Sequence, residues 1–230
     1  MLMQRCRLRG LGLVELLISI VIGLFFLAGL SAFLGRSLSA AGKGFQDSRL
    51  SQELNATLEL MVRDIRRAGY SSTAQDTLPA NPFTQDAVPA ANDGGISLAS
   101  AGCILYAYDM PDTANGARDP VERLGFKLQS DAVYAGTQAT DCTTGSWQPL
   151  TDPKVSKITD LSFDYLDGTG NLAAPQSPIL SASGTNWAAC TRLIRVTIRG
   201  HLVGNPSGAR TLSQSVRVRN DWYRTGASTC

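Results

Sequence analysis

The carboxylate of Glu15 lies within an apolar segment, where burying a charge costs free energy. Glu15 interrupts an apolar run of about 24 residues that begins after Gly10 and ends at Leu34. An acid inside a membrane helix costs about 2.5–3.5 kcal/mol on insertion scales, so such a residue usually has a partner and a function. If the chain is cut after Gly10, the new amine of Leu11 lies about one helical turn from Glu15. The carboxylate could then neutralise that amine, or the amine of a neighbouring copy.

The apolar run is long enough to cross a bilayer, since a helix needs about 20 apolar residues to do so. Arg5, Arg7 and Arg9 precede the run without any acid. Positive charge stays on the cytoplasmic side of a membrane, so we expect a cytoplasmic N-terminus with the remaining chain outside. An ordinary secretory signal fits less well, because its apolar core is shorter and its cleavage site follows that core. A plain membrane anchor remains the other alternative.

The residues around Glu15 resemble the class III signal of type IV prepilins and type II secretion pseudopilins. That signal is a short basic leader ending in Gly, followed by an apolar helix with Glu at its fifth position, as in Gly10-Leu11-Gly12-Leu13-Val14-Glu15. The resemblance implies cleavage after Gly10 by a prepilin peptidase, which also methylates the new amine of Leu11. It implies that Glu15 guides docking into a helical filament. Leu11 and Gly12 replace the usual Phe and Thr, a departure that suits a minor subunit.

A second amphipathic segment continues the helix beyond the apolar run. Its apolar residues recur every three or four positions, which is one face of a helix, and Gly69 is a stop signal. We therefore predict a single helix over residues 11–68. The members of this face are Leu50, Leu54, Leu58, Met61, Ile65 and Ala68.

The end of this helix carries a second resemblance. Its Arg63-Asp64-Ile65-Arg66-Arg67-Ala68-Gly69-Tyr70 run is similar to the PilW family of minor pilins, and J-type pseudopilins of type II secretion carry a related run. Arg63, Asp64 and Arg66 are candidate subunit contacts. The alternative is a solvated helix end, because cations stabilise a helix C-terminus.

Four cysteines follow the leader, which contains Cys6. An even number in an oxidising compartment predicts two disulfides, and three connectivities are open. Sequential pairs close the smaller loops, so we favour Cys103–Cys142 and Cys190–Cys230. A zinc site fits less well, because no CxxC spacing occurs and His201 is the only histidine. We predict no metal and no cofactor.

The remaining chain reads as short strands after a loop over residues 71–100 that is rich in Pro, Ser and Ala. Alternating apolar residues predict strands, the last two forming a hairpin through Gly204–Gly208. One amphipathic helix followed by a sheet gives an α+β class, in agreement with the pilin fold that the resemblance implies. The predicted strands are Cys103–Tyr108, Arg123–Gln129, Ile158–Leu166, Thr191–Val203 and Thr211–Trp222.

Several polar patterns are candidates for a binding or catalytic site. A stripe of Arg192, Arg195, Arg199, Arg217 and Arg219 could bind DNA or an acidic subunit, or simply be a solvated strand face. Because the side-chain charge without the leader arginines is about −1, we expect no nucleic-acid partner. Two acidic loops, one with Asp109, Asp112 and Asp119 and one at 167–171, match no calcium motif. No catalytic motif surrounds His201, so we expect no enzyme.

Taken together, the patterns predict four parts: a leader (1–10), a transmembrane and filament-core helix (11–35), its amphipathic second half (36–69), and a β-rich periplasmic domain (70–230). The resemblances imply a minor pilin that takes part in initiation of a type IV pilus, for twitching and attachment. Implied partners are the prepilin peptidase, other minor pilins, the major pilin and the inner-membrane assembly platform. The location implied is the inner membrane, single-pass, and then the pilus. A J-type pseudopilin and a tip adhesin or DNA-capture pilin remain alternatives.

Overall fold

The computed structural model describes residues 12–73, 81–85, 95–173, 179–226 and 230. The chain divides into two compact units, one up to Asp47 and one from Ser48 onward. Helix α1 runs from Leu13 to Ile65 and contributes to both units. The predicted cleavage residues Gly10 and Leu11 lie outside the described residues.

In the first unit, α1 is apolar on every side. Its large side chains are half or more exposed from Leu13 to Leu38, including Phe25 and Phe26. A helix that is apolar all round belongs in an apolar surrounding. By length and composition, α1 is the one helix among the described residues that could cross a membrane.

In the second unit, α1 buries the face that the spacing predicts. All six residues of that face, from Leu50 to Ala68, are at most 4% exposed. They pack against the inner faces of the sheet strands, where Tyr106, Phe126 and Ile198 complete the same core. The α+β class is therefore confirmed: a long apolar helix packs with an antiparallel β-domain.

The β-domain holds three antiparallel sheets in the described part of the chain, with strand orders β1-β2-β3-β4-β5, β10-β9-β6 and β11-β8-β7. A short helix α2, Pro82–Gln85, precedes β1. A 3₁₀ turn, Pro120–Glu122, precedes β3. The strands are β1 Ile96–Ser100, β2 Cys103–Ala107, β3 Arg123–Gln129, β4 Ala132–Thr137, β5 Ser146–Pro149, β6 Ser156–Tyr165, β7 Ile179–Gly184, β8 Trp187–Thr191, β9 Leu193–Leu202, β10 Asn205–Arg217 and β11 Trp222–Thr225.

The hairpin predicted near the end of the chain is confirmed, since β9 and β10 pair antiparallel. Its buried residues alternate along the strands, as in Ile194 and Val196 of β9, and Val216 of β10 is buried opposite Ile194. The turn is tighter than predicted, because Asn205 already pairs with Leu202.

Two predictions about chain segments are wrong. Residues 71–100 are not all loop, since they contain α2 and β1. Pro82 does not prevent the helix because it occupies the first helical position, where Asn81 Oδ1 accepts the Phe83 amide at 2.9 Å. The strand predicted over 191–203 is interrupted at Arg192, which separates β8 from β9.

Two disulfides fasten the β-domain. Cys103 of β2 is bonded to Cys142, with Cα atoms 6.2 Å apart. Cys190 of β8 is bonded to Cys230, with Cα atoms 5.8 Å apart. These are the sequential pairs that close the smaller loops.

Candidate functional site

Glu15 lies in the first turn of α1 and is exposed. Its backbone amide donates to the carbonyl of Gly12 at 3.0 Å, and its own carbonyl accepts from Ser19 Oγ at 2.8 Å. Among the described residues, no group bonds to its carboxylate. The carboxylate is therefore available to a cation that the described residues do not provide.

At the other end of α1, Asp64 is bound to the sheet by two tyrosines. Tyr106 donates its hydroxyl to Asp64 Oδ2 at 2.7 Å, and Tyr108 donates to Oδ1 at 3.2 Å. Arg67 approaches the same carboxylate at 3.8 Å and lies 4.7 Å from the centre of the Tyr108 ring. We call Asp64, Tyr106 and Tyr108 the carboxylate clamp. It joins the last turn of α1 to β2 and the residue that follows it.

The environment of the clamp makes both hydroxyls hold their protons more tightly than an ordinary tyrosine. Burial, followed by the charge of Asp64, raises the pKa of Tyr106 well above its ordinary value of 10. The same two causes raise the pKa of Tyr108 to about 12. Because a phenol must carry its proton to donate, both tyrosines remain donors to Asp64 at neutral pH.

The residues after Asp64 terminate the helix against distant parts of the chain. Gly69 has φ +76°, and a Cβ there would lie 2.8 Å from Thr84 Cγ2. Its amide donates to Ala107 O at 2.8 Å. The Nδ2 group of Asn220 donates to Ala68 O at 3.0 Å, and that of Asn81 to Gly69 O at 3.0 Å. The last carbonyls of α1, those of Val62, Asp64 and Ile65, accept from the amides of residues 66–68. The carbonyls of the turn that follows are satisfied by side chains from elsewhere in the β-domain.

Arg192 does not belong to an exposed basic stripe, which corrects the prediction. It precedes β9 by one residue and continues the even-numbered positions that this strand buries, and its side chain is fully buried. Its guanidinium donates to the carbonyl of Asn220. A Cβ on Gly69 would lie 3.0 Å from the same guanidinium. Arg192 therefore supports the helix end.

The rest of the predicted stripe lies on one sheet face and in the bend that follows it. On the outer face of the β10-β9-β6 sheet, Arg195 pairs in register with Asp164, and Arg199 with Asp160. Arg195 also donates to Gly170 O at 2.7 Å. Arg217, at the end of β10 opposite Leu193, lies on the same outer face, and Arg219 follows in the bend beyond it. This face therefore carries both signs of charge.

In the two acidic loops, the carboxylates accept hydrogen bonds from donors of the protein itself. Asp109 Oδ2 accepts from the amide and hydroxyl of Ser72 at 2.9 and 2.6 Å, and from the amide of Gly116 at 3.0 Å. Burial opposes ionisation of Asp109, but these bonds outweigh it and lower the pKa below its ordinary value of 3.8. The fully buried Glu122 accepts from three donors of the same loop. In the second loop, Asp167 accepts from neighbouring donors in a tight turn.

The residue types considered for metal ligation and catalysis are the acids, the cysteines and His201. No group of three or more His, Cys, Asp or Glu residues suited to a metal occurs among the described residues. His201 lies in β9 opposite Lys157, and its Nδ1 is 2.9 Å from the carbonyl oxygen of Leu202.

Sequence reasoning singled out Arg63, Asp64 and Arg66 but not the residues that surround them. The structure brings Asp64 to Tyr106 and Tyr108, while Arg63 and Arg66 are exposed. Asn81, Arg192 and Asn220 were missed as parts of the helix end. The one sequence signal for this packing is the Ala68-Gly69 pair, because two small residues leave room for the side chains of Thr84 and Arg192.

Comparison with known families gives one match. Residues 43–218 match the family described as PpdB, prepilin peptidase-dependent protein B. No curated protein and no solved structure matches the chain. The matched range begins after the apolar run, so it owes nothing to the leader or to Glu15. Because it spans more than half of the sequence, the chain belongs to the prepilin peptidase-dependent protein B family, a family related to type IV pilins.

Proposed function

We propose that this protein is a PilW-like minor pilin that helps to initiate assembly of a type IV pilus. The observation that carries the proposal is a membrane-length apolar helix with Glu15 in its first turn. It occurs in a chain whose β-domain matches a prepilin peptidase-dependent family. The two signals lie in different parts of the sequence, so each supports the other independently.

In this proposal the protein is made as an inner-membrane precursor. The prepilin peptidase removes the leader 1–10 by cutting between Gly10 and Leu11, and then methylates Leu11. The helix over 11–35 spans the membrane once and later lies in the filament core. The amphipathic second half, 36–69, continues this helix as far as Ile65, and residues 70–230 form the periplasmic domain. The exposed apolar surface of α1 supports this step, because such surface is stable only in lipid or against other apolar helices.

Glu15 is proposed to set the position of the subunit in the filament. A carboxylate and an amine that meet in an apolar medium compensate each other, whereas either one alone is costly there. The lack of a partner for Glu15 among the described residues supports a partner supplied by assembly. Other minor pilins, the major pilin and the inner-membrane assembly platform are the proposed partners.

The activity of the protein is proposed to be assembly without catalysis. The family is pilin-like, and proteins of this kind with a β-sheet domain are usually structural. Arg63 and Arg66 are exposed and remain candidate subunit contacts, whereas Asp64 serves the carboxylate clamp.

The test is N-terminal sequencing and intact mass of the protein from sheared pili and from membranes. We expect a mature chain that starts at methylated Leu11 and occurs in both fractions. Glu15→Ala should be cleaved normally but lost from pili. Glu59→Ala, an exposed acid in the second unit, is the matched control and should remain in pili.

Other outcomes would redirect the proposal. An uncut chain, or a cut beyond the apolar run, would refute the prepilin interpretation. Normal processing with loss of exoprotein secretion on deletion, and with twitching intact, would favour a J-type pseudopilin. Retained assembly with loss of attachment or DNA uptake would favour a tip adhesin or DNA-capture pilin.

A further inference from the structure

Three arginines line one shallow depression at the end of α1, and we call it the arginine depression. They are Arg66, just after α1, and Arg217 and Arg219, at the end of β10 and just beyond it. Val216 and Val218 are fully buried. Because neighbouring residues of a strand point to opposite sides, Arg217 is directed outward, and Arg219 lies in the bend that follows β10. All three arginines are exposed.

The backbone on both sides of the depression is held in place. The amide of Arg219 donates to Arg66 O at 3.0 Å, which joins the two segments directly. The next residue, Asn220, donates to Arg67 O at 3.3 Å and to Ala68 O at 3.0 Å. A ligand therefore has only side chains to order, and this lowers the entropic cost of binding.

The depression has more positive charge than its surroundings compensate. Arg217 lies 3.9 Å from Asp221. Among the described residues, the guanidinium groups of Arg66 and Arg219 have no hydrogen-bond or ion-pair partner. Three cations facing one acid produce a local positive potential that attracts an anion.

The surrounding side chains favour a carboxylate ligand over a nucleic acid. A guanidinium matches a carboxylate or a phosphate with two parallel hydrogen bonds. Sites for single-stranded nucleic acid also offer aromatic rings for stacking. No aromatic residue lines the depression within the described ranges.

We propose that the arginine depression binds an acidic segment, with at least two carboxylates, of a neighbouring subunit. The identity of that segment as part of a subunit rests on the proposed assembly function, whereas the binding chemistry does not. Arg66 and Arg219 form the main contacts, because binding breaks no hydrogen bond or ion pair that their guanidinium groups make within the described residues. Arg217 adds to the potential while it stays near Asp221.

The experiment measures fluorescence polarisation of labelled peptides with the purified full-length protein in detergent. The probe is a short fluorescein-labelled peptide in which Glu alternates with Ser, compared with the same peptide carrying Gln and with an oligothymidylate of equal length. The test variant is Arg66→Gln/Arg219→Gln. The matched control, Lys154→Gln/Arg199→Gln, removes the same charge from exposed positions outside the depression. Circular dichroism checks the fold of each variant.

We expect the wild type to bind the Glu peptide and not the Gln peptide. The test variant should bind about tenfold more weakly, because it loses two exposed charge pairs, while the control should stay within about twofold. Equal losses in both variants would overturn the proposal in favour of diffuse charge. Absence of binding by the wild type, or tighter binding of the oligothymidylate, would also overturn it. Peptide binding in detergent does not depend on pilus assembly, so failure here and failure of the proposed function are distinguishable.

Discussion

The hydroxyl of Tyr106 donates a 2.7 Å hydrogen bond to Oδ2 of Asp64, and this bond connects β2 with the last turn of α1. Tyr106 is almost fully buried, and its ring lies 5.7 Å from that of Phe126. The bond therefore links the polar end of the helix to the apolar core.

Tyr106→Phe should destabilise the protein while preserving its packing. The change removes one donor to an ionised carboxylate, and the expected loss in the free energy of unfolding is about 1.5 kcal/mol. Urea unfolding of the full-length protein in detergent measures it. Tyr134→Phe, at a half-buried tyrosine of β4, is the control and should change stability by less than about 0.5 kcal/mol. Equal effects of the two changes would show that the clamp does not stabilise the fold.

The clamp also predicts how stability depends on alkaline pH. The folded-state pKa of Tyr108 is about 12, above its ordinary value of 10, so the folded state holds the proton more tightly. The stabilisation is fully present below pH 10 and is lost as pH rises through about 12. Unfolding midpoints across this range measure the effect. Tyr108→Phe should flatten the decline, and an unchanged profile in this variant would contradict the assignment.

Gly69→Ala should be more damaging than an ordinary glycine replacement. The new Cβ would lie 2.8 Å from Thr84 and 3.0 Å from the Arg192 guanidinium, at a φ of +76° that side chains rarely adopt. We expect a loss of about 2 kcal/mol or more in unfolding free energy. Gly168→Ala is the matched control, because no atom lies within 4 Å of its Cβ position. A comparable effect at both glycines would argue against a crowded helix end.

Removing a disulfide should weaken the β-domain through the unfolded chain. The Cys190–Cys230 bond closes a loop of sequence separation 40 and contributes about 2–4 kcal/mol by the chain-entropy argument. Cys190→Ser/Cys230→Ser should lower the urea midpoint accordingly. Cys103→Ser/Cys142→Ser, with a separation of 39, is the comparison and should lose a similar amount. Non-reducing peptide mapping of the wild type checks the pairing directly, since a Cys103–Cys190 peptide would contradict it.

The parts of the fold that were predicted correctly have strong local patterns. The face of α1 from Leu50 to Ala68 repeats every three or four residues, and the structure buries all of it. The predicted Arg123–Gln129 strand has the bounds of β3, because its apolar residues alternate. By contrast, β7 was missed because Ile179–Gly184 has no alternation of apolar residues and is largely exposed.

The helix end could not be assembled from sequence in the same way. Asp64 and Gly69 were singled out by their local context. Asn220 lies 152 positions from Ala68, whose carbonyl it caps. The sequence around Asn220 contains no pattern that predicts this contact. Arg192 was assigned to the outer stripe because an arginine is usually exposed. Its position two residues before the buried Ile194 already places it on the inward side, and the structure buries it.

The hydrogen bonds after α1 also have a consequence for folding during synthesis. The carbonyls of Arg66 and Ala68 receive their donors from Arg219 and Asn220, near the far end of the chain. Those donors leave the ribosome only after nearly all of the β-domain has been made. The turn after α1 therefore lacks these two donors until translation is almost complete, whereas the last carbonyls of the helix itself are bonded to the amides of residues 66–68. A chain truncated just before Arg219 would contain every described strand except β11 but would lack the donors to the carbonyls of Arg66 and Ala68.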